Sequence, residues 1–276
     1  MSASESIFDR YLALWNLLPE GMPIVTPRAR LLPVRSRHGA AMLKVATDPD
    51  ETYGGLLLQW WDGRGAARLF AMDGNTLLLE RAQGHRSLAA LARDGRDDEA
   101  THIICDVIAE LHEPRGQPPR DLVPLAVWFR ELEPAAASHG GLLARSAQSA
   151  RFLLANPQNV GVLHGDVHHE NILDFGERGW LAIDPKRVYG ERGYDYAILF
   201  SNPDLSDPWP PVATLPDRFA RRLQIVVERS GIDRRRLLHW IIAWSGLSAA
   251  WFIGDGTDPD IDLRIAELAL AELGQC

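Results

Sequence analysis

Apolar positions recur along the chain with two different periods, and the switch between them divides it. In "SIFDRYLALWNLL", Ile7, Phe8, Tyr11, Leu12, Trp15 and Leu18 share one helical face. Pro and Gly in "PEGMPIVTP" end that helix. "RARLLPVRSRHGAAMLKVA" then reads as two strands joined near His38-Gly39. Asp48 as N-cap, Pro49 at the first helical position and Glu51 three residues past the cap predict a helix with the body "TYGGLLLQWW". "ARLFAMDGNTLLLERA" predicts two more strands, turning at Asp73-Gly74-Asn75.

After Ala82 to Gly84 the helical period takes over. "DDEATHIICDVIAELHEP" carries Ile103, Ile104, Val107, Ile108 and Leu111 at helical spacing and stops at Pro114. Further helices are predicted over 125–137, 142–155, 216–230, 234–254 and 261–273. Between them "NILDFGERGWLAID" reads as a β-hairpin around a Gly-containing turn. The outline is α+β: a small lobe over 1–81 built on a sheet, a brief connector, and a larger, mainly helical lobe over 82–276. Clefts between such lobes commonly hold ligands.

Composition narrows the function. A net charge of -8 and a pI near 5.6 argue against a nucleic-acid partner and weakly favour a cationic ligand. Two cysteines, Cys105 and Cys276, make no disulfide framework and fit a reducing cytosol. The N-terminus lacks a basic leader ahead of an apolar stretch. The apolar run "WIIAWSGLSAAWFIG" is short for a membrane span and reads as a buried helix. These features predict a cytoplasmic protein with no membrane partner. Of 29 basic residues only Lys44 and Lys186 are lysine, and the two cations are not interchangeable.

The densest chemistry lies in "HGDVHHEN", residues 164–171. One reading is a direct metal cage of His164, Asp166, His168 and His169, as in a metal-dependent hydrolase. It needs further ligands, and the remaining histidines are scattered without a partner motif. The other reading uses the hairpin. Asn171 opens its first strand and Asp184 closes its second, so the two meet at one end of the ladder, with Asp166 on the loop before them. Two oxygen donors there suit Mg²⁺, which takes few protein ligands and completes its shell with phosphate and water.

The string H-G-D-x-x-x-x-N, followed by an aspartate in D-P-K, resembles the catalytic core of protein kinases. The D-P-K variant resembles the aminoglycoside phosphotransferase family. "LHGDVHHENIL" with "RGWLAIDPK", and "LLPV", "AMLKVA", "WWDGRGAARL", "LLLERA" and "GLSAAW" in order, are most similar to its streptomycin 6-phosphotransferase and hydroxyurea phosphotransferase branch. The resemblance covers most of the chain. It implies a bilobal protein-kinase-like fold, with an antiparallel-sheet N-lobe and a helical C-lobe, and transfer of a phosphoryl group from ATP with Mg²⁺.

The resemblance also implies roles. Asp166 matches the base that orients the acceptor hydroxyl, and Asn171 and Asp184 match the metal ligands. Lys44 matches the lysine on the α- and β-phosphates, and Glu51 the acid that positions it. The Glu80 carbonyl and Ala82 amide match the groups that read adenine. No G-x-G-x-x-G precedes Lys44, so other amides must cover the phosphates, with residues 36–39 as the expected place. The missing activation segment points to a small-molecule acceptor: a hydroxyl of a cationic antibiotic of the streptomycin type, with hydroxyurea or another hydroxyl metabolite as the variant.

The neighbouring residues carry plainer expectations. His164 is expected to hold the catalytic loop in shape, and His168 and His169 to pack or stabilise it. Asp195 is expected to cap a helix and anchor the loop. Lys186 could contact phosphate or form a salt bridge. Asp255, Asp258, Asp260 and Asp262 read as a polar connecting loop, or as a carboxylate cluster facing the acceptor.

Overall fold

A computed structural model of the chain describes residues 7–47 and 49–275, and the side chains of 49–52 lie outside that description. The proposed capping box of Asp48 and Glu51 therefore falls outside the described residues. The N-terminal part runs α1 (Asp9–Leu14), β1 (Leu18–Pro19), β2 (Ile24–Val25), β3 (Ala29–Ser36), β4 (Gly39–Ala46), α2 (Pro49–Trp61), β5 (Leu69–Asp73) and β6 (Thr76–Glu80). After a connector come α3 (Leu88–Leu91), a one-turn π segment (Ala92–Arg96) and α4 (Asp97–Leu111). Next are β7 (Val123–Pro124), α5 (Leu125–Trp128), a 3₁₀ turn (Phe129–Glu131), α6 (Leu132–His139) and α7 (Gly141–Ala155). The remainder is β8 (Val160–Leu163), β9 (Ile172–Asp174), β10 (Trp180–Ala182), β11 (Val188–Glu191), α8 (Gly193–Ile198), α9 (Pro216–Ser230), α10 (Arg234–Gly254) and α11 (Asp260–Leu273).

The N-terminal sheet is antiparallel, in the order β1-β3-β4-β6-β5 with β2 also pairing with β3. Alternation along β4 sorts its side chains. Leu43 and Val45 join Phe8, Leu17, Leu32 and Val34 in a core under α1, while Met42 packs against the other, larger core. Lys44 shares the Met42 face and is 2% exposed. That larger core is continuous: Leu57, Trp61, Leu77 and Leu79 belong to the same cluster as the helical C-terminal part. The architecture is the bilobal, kinase-like α+β fold that the resemblance implied.

Two predicted helices are shorter than their periodicity suggested. The first ends at Leu14, because Asn16 adopts φ +50°, and Leu18 pairs instead with Arg35 in the sheet. The helix over 125–137 breaks at the 3₁₀ turn because Pro134 has no amide to continue the ladder; it is tolerated in the first turn of α6. A three-stranded sheet, β7-β11-β8, was not anticipated. It brackets the loop that carries residues 164–171, since β8 ends at Leu163 and β11 starts at Val188.

α10 is long and apolar enough to cross a membrane by length and composition alone, yet its residues are largely buried between α7, α8 and α11. Beside it, Asp255, Asp258 and Asp260 are exposed, whereas Asp262 is fully buried and accepts a 2.9 Å hydrogen bond from Ser201 Oγ. The tail thus forms no joint carboxylate cluster. Burial pushes the Asp262 carboxyl up to about 7, against hydrogen bonds from Ser248 and Ser201 that lower it. With 3.8 in the unfolded chain, the folded state holds the proton longer, so stability is highest at low pH and declines as pH rises toward 7. Asp262→Asn is expected to flatten a decline worth about 2–3 kcal/mol, read from urea midpoints at about pH 5 and about pH 8. Equal declines in both proteins would assign the slope to another group.

Candidate active site

The loop between β8 and β9 is held by one buried carboxylate. Asp195, inside the first turn of α8, accepts from the backbone amides of His164 (2.9 Å) and Gly165 (2.8 Å). It also accepts from His112 Nε2 at the end of α4, at 2.9 Å. Burial would raise the Asp195 carboxyl, but the His112 bond and the amides outweigh it and hold it below the usual carboxylate range. Loop anchoring is therefore its role; helix capping is not, because Asp195 lies within α8 rather than before it.

His164 passes the constraint on. Its Nε2 lies 2.9 Å from the Ile183 carbonyl and its Nδ1 3.3 Å from the Asp166 amide, so Nε2 carries the proton and Nδ1 accepts. Burial lowers its pKa, which keeps the ring neutral. The Trp61 ring stacks on it from α2, with centroids 6.0 Å apart. With both nitrogens engaged, His164 cannot ligate a metal. His169 is buried, and burial and the positive charge of Arg222 push it well below its ordinary value, so its ring is neutral. Among the described residues no group of three or more His, Cys, Asp or Glu is gathered for a metal, which disfavours the hydrolase reading.

The hairpin register brings the expected residues together. Ala182 pairs with Ile172, and the Ile183 amide donates to the Asn171 carbonyl at 2.8 Å, which sets Asn171 beside the residue before Asp184. Asn171 Nδ2 donates to the Asp166 carbonyl at 2.8 Å, which turns its amide oxygen away from the loop. Asp184 sits at φ +55°, a left-handed geometry that aspartate tolerates. Its Oδ1 accepts from Lys44 Nζ at 2.7 Å, joining the two lobes. Helix α2 closes over this segment, because a Cβ on Gly54 would lie 2.7 Å from the Pro185 carbonyl oxygen.

Asp166 is partly exposed, with His168 Nε2 at 3.7 Å and Lys186 Nζ at 3.6 Å from its two oxygens. A cavity of about 270 Å³ opens at Lys44 and Asp184, lined by Thr26, Pro27, Arg28, Ala29 and Leu31. The expectation that residues 36–39 cover it is corrected here. Leu31 pairs with Lys44, whereas Ser36 pairs with Gly39 at the far end of the same ladder. The turn that overhangs Lys44 is the one between β2 and β3, and Thr26 braces it, its Oγ1 accepting from the Ala29 amide at 3.0 Å. The signal missed in the sequence was T-P-R ahead of a strand whose partner residue is the lysine.

Glu80 ends β6, and its side chain pairs with Arg178 of the hairpin turn. Ala82 packs with Phe175 and Leu181, and the Gly84 amide donates to the Asp174 carbonyl at 2.9 Å. The connector is thus stapled to the hairpin that carries Asn171 and Asp184. The side chain of Glu51 lies outside the described residues.

Residues 14–256 match the family model described as aminoglycoside/hydroxyurea antibiotic resistance kinase. The chain belongs to this family. A streptomycin 3''-kinase of Klebsiella pneumoniae is 57% identical, over 92% of this chain and 97% of its own. A streptomycin 6-kinase of Streptomyces griseus is 30% identical, over 97% and 88%. Among solved structures, a thermostable aminoglycoside phosphotransferase mutant bound to ADP and hygromycin B superposes with a TM-score of 0.66, at 11% identity and over 98% of both chains. That last likeness bears on the fold alone.

In this kinase the loop stands or falls with Asp195. Asp195→Ala strands two buried amides and an imidazole N–H, and is expected to lower the unfolding free energy by about 3–5 kcal/mol in urea titrations. A loss under ~1 kcal/mol would show that other contacts hold the loop.

Proposed function

We propose that the chain transfers the γ-phosphoryl group of ATP to a hydroxyl of a streptomycin-type aminoglycoside, the 3''-hydroxyl in particular. The observation that carries this reading is the Lys44–Asp184 pair, 2.7 Å across the interlobe cleft, with Asp166 and Asn171 on the loop bonded to the same hairpin. The choice of hydroxyl rests on the 57% relative, a 3''-kinase by name, standing well above the 30% relative, a 6-kinase. The net charge of -8 suits a cationic acceptor. A cytosolic location goes with the need for ATP.

In this reading Lys44 grips the α- and β-phosphates, and Glu51 supports it from α2. The turn at residues 26–28 covers the phosphates, and the Glu80 carbonyl and Ala82 amide meet the adenine edge. The Asn171 amide oxygen and the partly exposed Asp184 carboxylate fit a hard divalent ion, for which oxygen donors are the rule. Mg²⁺ bound there would neutralise charge on the phosphates. Asp166 accepts the proton of the acceptor hydroxyl and aims its oxygen at phosphorus. Most of the acceleration comes from positioning and fixed charges.

ADP release measured over a panel of aminoglycosides and hydroxyurea tests the reading. Streptomycin is expected to support turnover, with the product phosphorylated at the 3'' position by NMR. Asp166→Asn is expected to lower kcat by about 10²–10⁴-fold while nucleotide binding persists. Equal rates in parent and variant would remove Asp166 from its role. Phosphorylation of hydroxyurea alone, or of the 6-hydroxyl, would reassign the acceptor.

A further inference from the structure

We propose that Lys186 is a second catalytic cation, whose ammonium contacts the γ-phosphoryl group as it passes from nucleotide to acceptor. The proposal rests on the phosphotransferase reading of the site.

Both lysines of the chain lie against its two functional carboxylates. Lys44 Nζ is 2.7 Å from Asp184, and Lys186 Nζ is 3.6 Å from Asp166 Oδ2. The other basic residues are arginine, including Arg187 next door, whose guanidinium carbon lies over the Tyr53 ring, 4.1 Å from its centroid. Around Asp166 and Asp184, then, the planar cation stacks on a ring while the two slim point charges stand at the carboxylates. Lys44 and Asp184 belong to the nucleotide end of the transfer path, Asp166 to the acceptor end. A phosphoryl group in flight has to cross the space between them, and the Lys186 ammonium stands at its acceptor end, 3.6 Å from Asp166 Oδ2.

The ammonium is placed by the loop itself. The Lys186 amide donates to the His164 carbonyl at 2.7 Å, and the Lys186 carbonyl accepts from the Val188 amide at 2.9 Å. Its stem lies over Gly165, at φ +81°, where a Cβ would come 3.1 Å from Lys186 Cβ and 2.8 Å from Val188 Cγ2. A residue without a side chain is what lets the stem approach Asp166 this closely. The 3.6 Å separation from Asp166 is beyond hydrogen-bond range. The charge is held near the carboxylate without occupying the lone pairs that accept the substrate proton.

The step balances without a new reagent. The acceptor oxygen forms a bond to γ-phosphorus while the bond to the β–γ bridging oxygen breaks, and ADP leaves with that electron pair. The hydroxyl proton goes to Asp166. Lys186 stays protonated throughout and offsets charge on the equatorial oxygens.

The test compares parent, Lys186→Met, Asp166→Asn and the double variant, with Lys186→Gln standing in should the Met variant fail to fold. Calorimetry with ADP and with AMP-PNP reads the γ-phosphate contact directly. Lys186→Met is expected to weaken AMP-PNP about tenfold and to leave ADP unchanged. It is also expected to lower kcat about 10²–10³-fold in the parent, and by a similar factor on top of Asp166→Asn. A lysine acting only by positioning Asp166 would leave the AMP-PNP to ADP ratio intact and have no effect in the Asp166→Asn background. Absence of either effect overturns the proposal. Failure of the underlying reading shows separately, as a parent enzyme without acceptor-dependent ADP release.

Discussion

One buried anion organises the candidate site. A carboxylate as deeply enclosed as Asp195 is stable only when donors surround it, and here they come from the end of α4 and from two successive loop amides. The loop it captures carries His164, whose ring reaches the Ile183 carbonyl, one residue before Asp184. An unbroken line of hydrogen bonds thus runs from α8 through the loop to the hairpin and ends at the salt bridge with Lys44. Each carboxylate near the cleft takes its position from the one behind it.

The division of labour between the two kinds of cation follows from their shapes. Arg222, 1% exposed, spends its planar fork on Asp97 and on the carbonyls of Leu199 and Asn202, fastening α9 to α4 and to the chain after α8. Arg236 does the same for Glu191 and the Asn156 carbonyl. These are rigid, multidentate joints in the helical lobe. The lysines sit where charge has to be presented on a thin stem inside a cleft.

Much of this was legible because the local signals agreed with one another. The Asp73 to Asn75 turn, the hairpin around residues 172–182, and helices α9 and α10 all stand where period and turn residues placed them. The meeting of Asn171 with Asp184 followed from hairpin geometry alone. What stayed hidden depended on distant partners. β7, β8 and β11 are two to four residues long, too short for a period, and exist because they pair across more than twenty residues. The cover over Lys44 was assigned to the wrong end of its strand, since only the ladder register shows that Leu31, not Ser36, faces the lysine. Asp262 looked like one of four loop carboxylates until helix packing buried it.

The indole of Trp61 has a consequence for motion. It belongs to α2, stacks on the imidazole of His164, and hydrogen-bonds the Leu111 carbonyl one residue before His112. Helix α2 is therefore keyed into the floor of the loop that carries Asp166 by a flat aromatic wedge, within an apolar interior that both lobes share. A hinge built this way resists wide opening. The cavity at Lys44 is bounded instead at the rim, by the short turn of Thr26, Pro27 and Arg28, which lies apart from this wedge.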